Sequence, residues 1–333
     1  MDVAAAARPT LAEVARRAGV STATASRVLN RSAPVSGRAL ARVESAVREL
    51  GYVRHRAHNA SVRGTGALAV VVFEDMIHYQ SDLFYSRLLL GVERALKSAE
   101  REFVVITASR RAQRPTLVRY LCGGHVDGLL LVGPWGDEAL PQLIRAAGVP
   151  VISLGRLPGA GDLPYVDADN LGGAALAVLH LLASGRRSIA TIAGPPDMAV
   201  GADRLTGYRR AIRDSGASVR ETVAYGDFTA ASGEHALLRL LDLCPDLDAV
   251  FAASDLMAAG ALRALRRLGI GVPEDVAVVG FDDDAVACRT RPRLTTVRQP
   301  VEEMGARAVA ELLGSVAEAR VVMETRLVLR ESA

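Results

Sequence analysis

The sequence predicts an α/β protein: a small N-terminal three-helix head on a body of two doubly wound parallel sheets. Three observations carry this. A capped helix, a glycine and a second capped helix open the chain within residues 9–51. Short continuous apolar runs recur from residue 67, each followed by a longer stretch with helical spacing. The rhythm breaks near the middle, at Leu163–Asn170, and there are too many strands for one small sheet.

In the head, Thr10 and Glu13 have capping-box spacing: the hydroxyl accepts from an orphan N–H of the first turn while the carboxylate reaches back. Leu11, Val14 and Ala15 then share one helical face. Gly19 supplies the left-handed residue that ends the helix. Ser21 caps the next helix, which carries Thr22, Ala23, Thr24, Ser26 and Arg27. Two short helices joined at a glycine, with small and polar residues opening the second, are what a reader of the DNA major groove requires. Ser36 caps a third helix over 38–50, stopped by Gly51, with Leu40, Val43, Val47 and Leu50 as its apolar stripe. Such a helix is needed because two short ones cannot enclose a core. The pattern alone also leaves room for a small three-helix module that binds protein or does nothing.

Charge favours nucleic acid. Residues 1–66 hold eleven Arg against Asp2, Glu13, Glu44 and Glu49, a balance of +7; the whole chain is +3, so residues 67–333 carry −4. Phosphate attracts such a head whatever the base sequence, and an acidic body disfavours DNA lying along it.

The chain's 333 residues exceed one average domain. No apolar run approaches the ~20 residues of a membrane helix, and the N-terminus lacks the basic and apolar regions of a signal peptide. Cys122, Cys244 and Cys288 are odd in number and widely spaced, which fits reduced cytoplasmic thiols rather than a disulfide frame.

In the body the strand-length runs are Leu68–Phe73, Phe103–Thr107, Gly128–Val132, Val149–Leu154, Ile189–Ala193, Ala249–Ala253 and Val276–Gly280. Helical spacing marks Leu88–Leu96, Leu171–Leu182, Tyr208–Arg213, His235–Leu241 and Met257–Leu268. Continuous apolar strands alternating with helices call for parallel sheets covered on both faces. Ligands of such sheets sit beyond the carboxyl ends of the strands, so the polar residues just after each run matter most.

With these residues in place, the chain resembles the lactose-repressor (LacI/GalR) family of bacterial transcription regulators over nearly its whole length. The carriers are Thr10–Ala15, Gly19–Asn30, Glu49–Tyr52, Asp169-Asn170, Arg204–Tyr208, Gly226–Phe228, Ala252–Asp255, Val278–Asp283 and Leu294–Pro300. The resemblance implies a repressor whose head reads an operator as a dimer. It also implies a body like a periplasmic sugar-binding protein, in which a small molecule in the cleft changes the angle between two lobes. It divides the chain into a head (1–52), a hinge (53–66) and a body (67–333). The first lobe of the body would comprise 67–165 and 297–325, and the second 166–296 and 326–333.

By family position Thr22, Ala23 and Arg27 face base edges. Arg27 suits a bidentate contact to guanine, with a phosphate contact as its alternative. Ser21, Thr24, Ser26 and Asn30 suit phosphate. The hinge departs from the family pattern: Arg54 stands for a Pro, and Ser61 for the Leu that wedges into the minor groove. That leaves Val62 beside the DNA-facing Tyr52 as the nearest apolar wedge, and a shorter wedge unstacks less. His55 and His58 have no companion ligand cluster, and no metal or cofactor is expected.

For the effector, Arg204 offers a fork of donors, with an inter-lobe ion pair as its alternative. Asp282 resembles the family's ligand-bonding Asp, and Phe228 its stacking aromatic. These three come from separate strand-to-helix junctions. Phe84 and Tyr85 fall near the first-lobe contact, although Met76–Asp82 is longer than the family usually has. Arg156 follows a strand end, Ser254 stands for a common Asn, and Met198 sits where the family varies with ligand. A sugar or sugar derivative is expected, with a nucleobase or another metabolite as the alternative, acting on a repressor, a co-repressed or an activating regulator.

An enzyme is disfavoured: there is no phosphate-binding GxxxxGK loop, GxSxG elbow, HExxH or strand-bound GxGxxG. A free-standing solute-binding protein would lack the head. The chain ends directly after a strand-like Arg326–Arg330 without leucine heptads, so a homodimer on a near-palindromic operator is expected rather than a tetramer.

Overall fold

The structure is a computed structural model. It describes residues 10–30, 35–50, 66–74, 76–108, 114–133, 148–157, 162–216, 220–314, 316 and 319–333. Tyr52, Val62 and the rest of the expected hinge lie outside them.

The head is three helices, α1 (Leu11–Ala18), α2 (Thr22–Asn30) and α3 (Gly37–Leu50). The capping box is present: Thr10 N donates to Glu13 Oε2 at 2.6 Å and Glu13 N to Thr10 Oγ1 at 3.2 Å. Gly19 closes α1 at φ 59°. Thr24 N donates to Ser21 Oγ at 3.1 Å, and Ala39 N to Ser36 Oγ at 3.3 Å, so both serine caps form. Val14, Ala15, Ala18, Ala25, Val28, Val43 and Ala46 make the core. Leu40 does not join it; the residue is 39% exposed. Ala46 takes the place assigned to it, since the buried face of α3 runs through 43, 46, 47 and 50.

The body holds two six-stranded sheets. The first contains β1 (Ala67–Val72), β2 (Glu102–Thr107), β3 (Gly128–Val132), β4 (Val151–Leu154), β5 (Tyr165–Ala168) and β11 (Arg320–Met323), in the order β11-β5-β4-β3-β1-β2, all parallel. The second contains β6 (Ile189–Ala193), β7 (Thr222–Tyr225), β8 (Ala249–Ala252), β9 (Ala277–Asp282), β10 (Thr295–Arg298) and β12 (Arg326–Val328). Its order is β12-β10-β9-β8-β6-β7, parallel except for β12.

The continuous apolar runs follow from burial on both faces. In the first sheet Leu68, Val70, Val72, Leu130, Val132 and Ile152 enter one core, while Ala69, Val71, Leu129, Leu131 and Val151 enter the other. The second sheet divides the same way, with Val250 and Val278 on one side and Phe251 and Val279 on the other. Every second residue points to the opposite face, so no position could be polar without cost.

The helices named below are α4 (Met76–Ser81), α5 (Leu83–Ser98), α7 (Asn170–Ala183), α8 (Ala199–Asp214), α10 (Asp255–Leu268) and α11 (Val301–Leu313); α6 (Arg114–Leu121) and α9 (Ala230–Leu243) fill out the lobes. The extra length at Met76–Asp82 folds as α4. The chain crosses between lobes after β5, after β10 and after β11: α7 packs in the second lobe, α11 in the first, and β12 returns to the second sheet. The divisions implied by the resemblance, at 165/166 and 296/297, fall inside β5 and β10. No described helix is long and apolar enough to cross a membrane.

Candidate functional site

The three crossings leave a cleft between the lobes, at the carboxyl ends of both sets of strands. The first lobe contributes Phe84 and Tyr85 from the start of α5, and Gly133 and Gly155 just past β3 and β4. The second contributes Met198 and Val200 at the start of α8, Phe228 past β7, Ser254 past β8 and Asp282 at the end of β9. Arg204 completes this wall. It lies inside α8 rather than at a junction, because that helix begins nine residues before the Tyr208–Arg213 stretch read from the sequence.

Arg204 is 3% exposed. Its Nε donates to Asn170 Oδ1 at 2.9 Å and its Nη1 to the Ala253 carbonyl at 2.6 Å. Nη1 is also 3.1 Å from Asp282 Oδ1, and the guanidinium carbon lies 3.7 Å from the centroid of the Phe281 ring. A buried cation survives only with such company: a paired carboxylate, filled donors and an aromatic face.

Asp282 accepts from Gln299 Nε2 at 2.7 Å as well. Burial pushes its carboxyl up to about 7 against the pull of Arg204. The residue holds φ 113°, a conformation that an L side chain rarely adopts, and Phe228 holds φ 68°. Strained backbone of this kind persists where the surroundings over-determine it. A Cβ at Gly194 would meet the Phe228 ring at 2.4 Å, so that glycine makes room for the aromatic. The ring is half-buried against the second-lobe core and also faces the cavity.

Behind this layer Asp255 is fully buried and accepts from Thr296 Oγ1 at 2.5 Å and from Asp284 N at 2.8 Å. Burial pushes its carboxyl up. Ser254 accepts from Met257 N at 3.2 Å and so caps α10.

The structure thus gathers Phe84, Tyr85, Met198, Arg204, Phe228, Ser254 and Asp282 around one cavity. Arg156 does not line it. Its Nε donates to Asp167 Oδ2 at 3.3 Å, and its Nη2 pairs with Asp203 of α8, across the cleft. The inter-lobe ion pair considered for Arg204 therefore belongs to Arg156, while Arg204 pairs within its own lobe. Asn170 and Gln299, which also line the cavity, were not singled out from the sequence, although both stand in motifs that carry the resemblance.

In the head, Ser21, Thr22, Ala23 and Arg27 are exposed along α2. The hydroxyls of Ser21 and Thr24 lie 2.9 Å apart at the cap, and Ser26 is partly buried. Asn30 is the last residue of α2. Small and polar groups therefore open the helix, and the exposed Arg27 guanidinium follows about one turn later.

A family model described as bacterial regulatory proteins, lacI family, matches residues 10–55, and one described as a periplasmic binding protein-like domain matches 178–333. The HTH-type transcriptional regulator CelR of Thermobifida fusca is 48% identical over 335 residues, covering 98% of each chain. A solved CelR–cellobiose complex superimposes with a TM-score of 0.79 at 45% identity, covering 98% of this chain and 100% of the other. The lac repressor dimer bound to operator and the anti-inducer ONPF gives a TM-score of 0.72 at 27% identity, covering 98% and 99%.

Proposed function

The chain belongs to the LacI family of bacterial regulatory proteins, and we propose that it is a cytoplasmic, homodimeric repressor whose grip on a near-palindromic operator is set by a sugar in the inter-lobe cleft. It is a sequence-specific DNA-binding transcriptional regulator rather than an enzyme.

One observation carries the sugar reading. Arg204 and Asp282 stand paired at the cavity wall with the Phe228 ring facing the same space. Directional donors and acceptors beside an aromatic face suit a hydroxylated ring with one apolar side. The likeness to CelR, solved with cellobiose, favours a glucose disaccharide. In the head, Thr22, Ala23 and Arg27 read bases, and Ser21, Thr24, Ser26 and Asn30 hold phosphates. The head ends at 52 and the hinge at 66, where Tyr52 and Val62 meet DNA.

A gel-shift on DNA from upstream of the chain's own gene, with and without cellobiose, tests this. A specific shift whose midpoint moves with the sugar is expected. No shift on any such fragment would count against the reading.

A further inference from the structure

We infer that the cleft selects against negative charge: it takes an uncharged, hydroxyl-bearing effector and rejects the phosphorylated or carboxylate form of the same molecule. This rests on the cleft being the effector site and adds the charge class of what enters it.

The wall of the cavity is acidic. Asp82, Asp167, Asp255, Asp282 and Asp284 all line it, and among the described residues Arg204 is its single cationic side chain. Arg204 is already committed to Asp282, Asn170 and the Ala253 carbonyl. Among the described residues two further cations touch this wall without lining the cavity: Arg156 holds Asp167, and Arg87 holds Glu302 at 2.8 and 2.9 Å and donates to the Asp282 carbonyl at 3.3 Å.

Backbone offers little more. Helix N-termini are the usual seats for anions, and among the described residues three of those beside this cavity are filled by the chain's own side chains, while α11 starts after Gln299 without a side-chain cap but with Glu302 and Glu303 in its first turn. Asp82 accepts from Phe84 N at 2.9 Å at the start of α5. Ser254 caps α10, with Asp255 in its first turn. Asp284 accepts from Ala285 N at 2.7 Å at the start of the short 3-10 helix Ala285–Cys288. The start of α8 has no side-chain cap, but there the wall is Met198 and Val200.

The carboxylates also press on one another. Burial pushes up Asp167, Asp255, Asp282 and Asp284 alike, and neighbouring aspartates add to the push on the last three. Those carboxyls that stay ionised would repel a phosphate brought among them, whereas a hydroxyl can donate to a carboxylate and accept from a protonated one.

Thermal shifts of the full chain with matched pairs test this: cellobiose and cellobiose 6-phosphate, glucose and glucose 6-phosphate, adenosine and AMP. A ligand that binds the native state raises Tm. The uncharged member of a pair should raise it and the anionic member should bind at least about thirtyfold more weakly, the factor one like charge ~8 Å away imposes at an effective dielectric of about 20. Asn caps a helix as well as Asp does, so the double variant Asp82→Asn/Asp284→Asn should narrow that ratio severalfold. An anionic sugar that binds as well as its neutral partner overturns the inference while leaving the sugar reading intact. A shift with adenosine but not AMP, and with no sugar, overturns the sugar reading and leaves the charge selection standing. No shift from any pair overturns both.

Discussion

The head and the cleft use arginine in opposite ways. Arg27 of α2 stands exposed on the helix surface, while Arg204 of α8 is 3% exposed and tied to Asp282, Asn170, Ala253 and Phe281. Arg27 has no ion-pair partner among the described residues, although Arg16 and Arg17 of α1 pair with Glu13 and Glu49. The cleft supplies its own counter-charges, and a ligand must compete with or join them. Functional and structural roles are therefore separable in the head and fused in the cleft.

The largest expected effect follows from that fusion. Arg204→Ala removes the buried partner of the half-buried Asp282 carboxyl, which keeps only Gln299, and empties the Asn170 and Ala253 acceptors. Breaking a buried pair by removing one partner costs about 3–5 kcal/mol, so chemical denaturation should show that loss alongside a lost sugar response. A destabilisation below about 1 kcal/mol would place Arg204 outside the support of the fold and make the two regions alike.

Arg27→Ala is the counterpart in the head. Specific operator binding should weaken by about 1–3 kcal/mol, with much less change on scrambled DNA and folding stability unaltered within about 0.5 kcal/mol. An equal loss on both sequences would make Arg27 a phosphate contact.

A pH series separates the regions more finely. Asp282 titrates at about 7 in the folded chain against an ordinary 3.8. Between those values the folded state holds a proton that the unfolded state releases, so this group's contribution to stability falls as pH rises from about 4 to about 7 and levels off above. Asp282→Asn should flatten that part of the Tm-versus-pH curve. An unchanged slope would mean that the carboxyl is not held in this environment. The smallest effect belongs to Arg156→Ala. The exposed Arg156–Asp203 pair contributes about 0–1 kcal/mol and the buried Asp167 keeps its bonds from Ala168 N and Asn170 Nδ2, so stability should move little, while a shift in the sugar midpoint would report the broken tie to Asp203.

Much of this was legible in the sequence. The caps at Thr10, Ser21 and Ser36 and the glycine at 19 carry local chemistry that a single sequence displays. So do strands such as β1 and β3, whose apolar runs reflect burial on both faces. The strands β5, β7, β10 and β11 were not legible, because Tyr165, Asp167, Thr222, Thr295, Thr296 and Arg320 interrupt their hydrophobicity. Arg204 and Asp282 stood out by family position. Their pairing, the support from Asn170 and Gln299, and the left-handed backbone at Phe228 depend on contacts between segments distant in sequence. The tie between Arg156 and Asp203 was not legible for the same reason: only the fold brings the two together.

The coupling of the two regions is tested most directly by the operator dissociation constant of the full chain, with and without cellobiose, for the wild type and Asp282→Asn. The wild-type constant should change by roughly 5–150-fold, the usual range of allosteric coupling, and that of the variant should not respond at the same sugar concentration. A wild-type constant that neither cellobiose nor any other uncharged sugar moves, or a variant that responds as the wild type does, would contradict the assignment of this cleft as the control site.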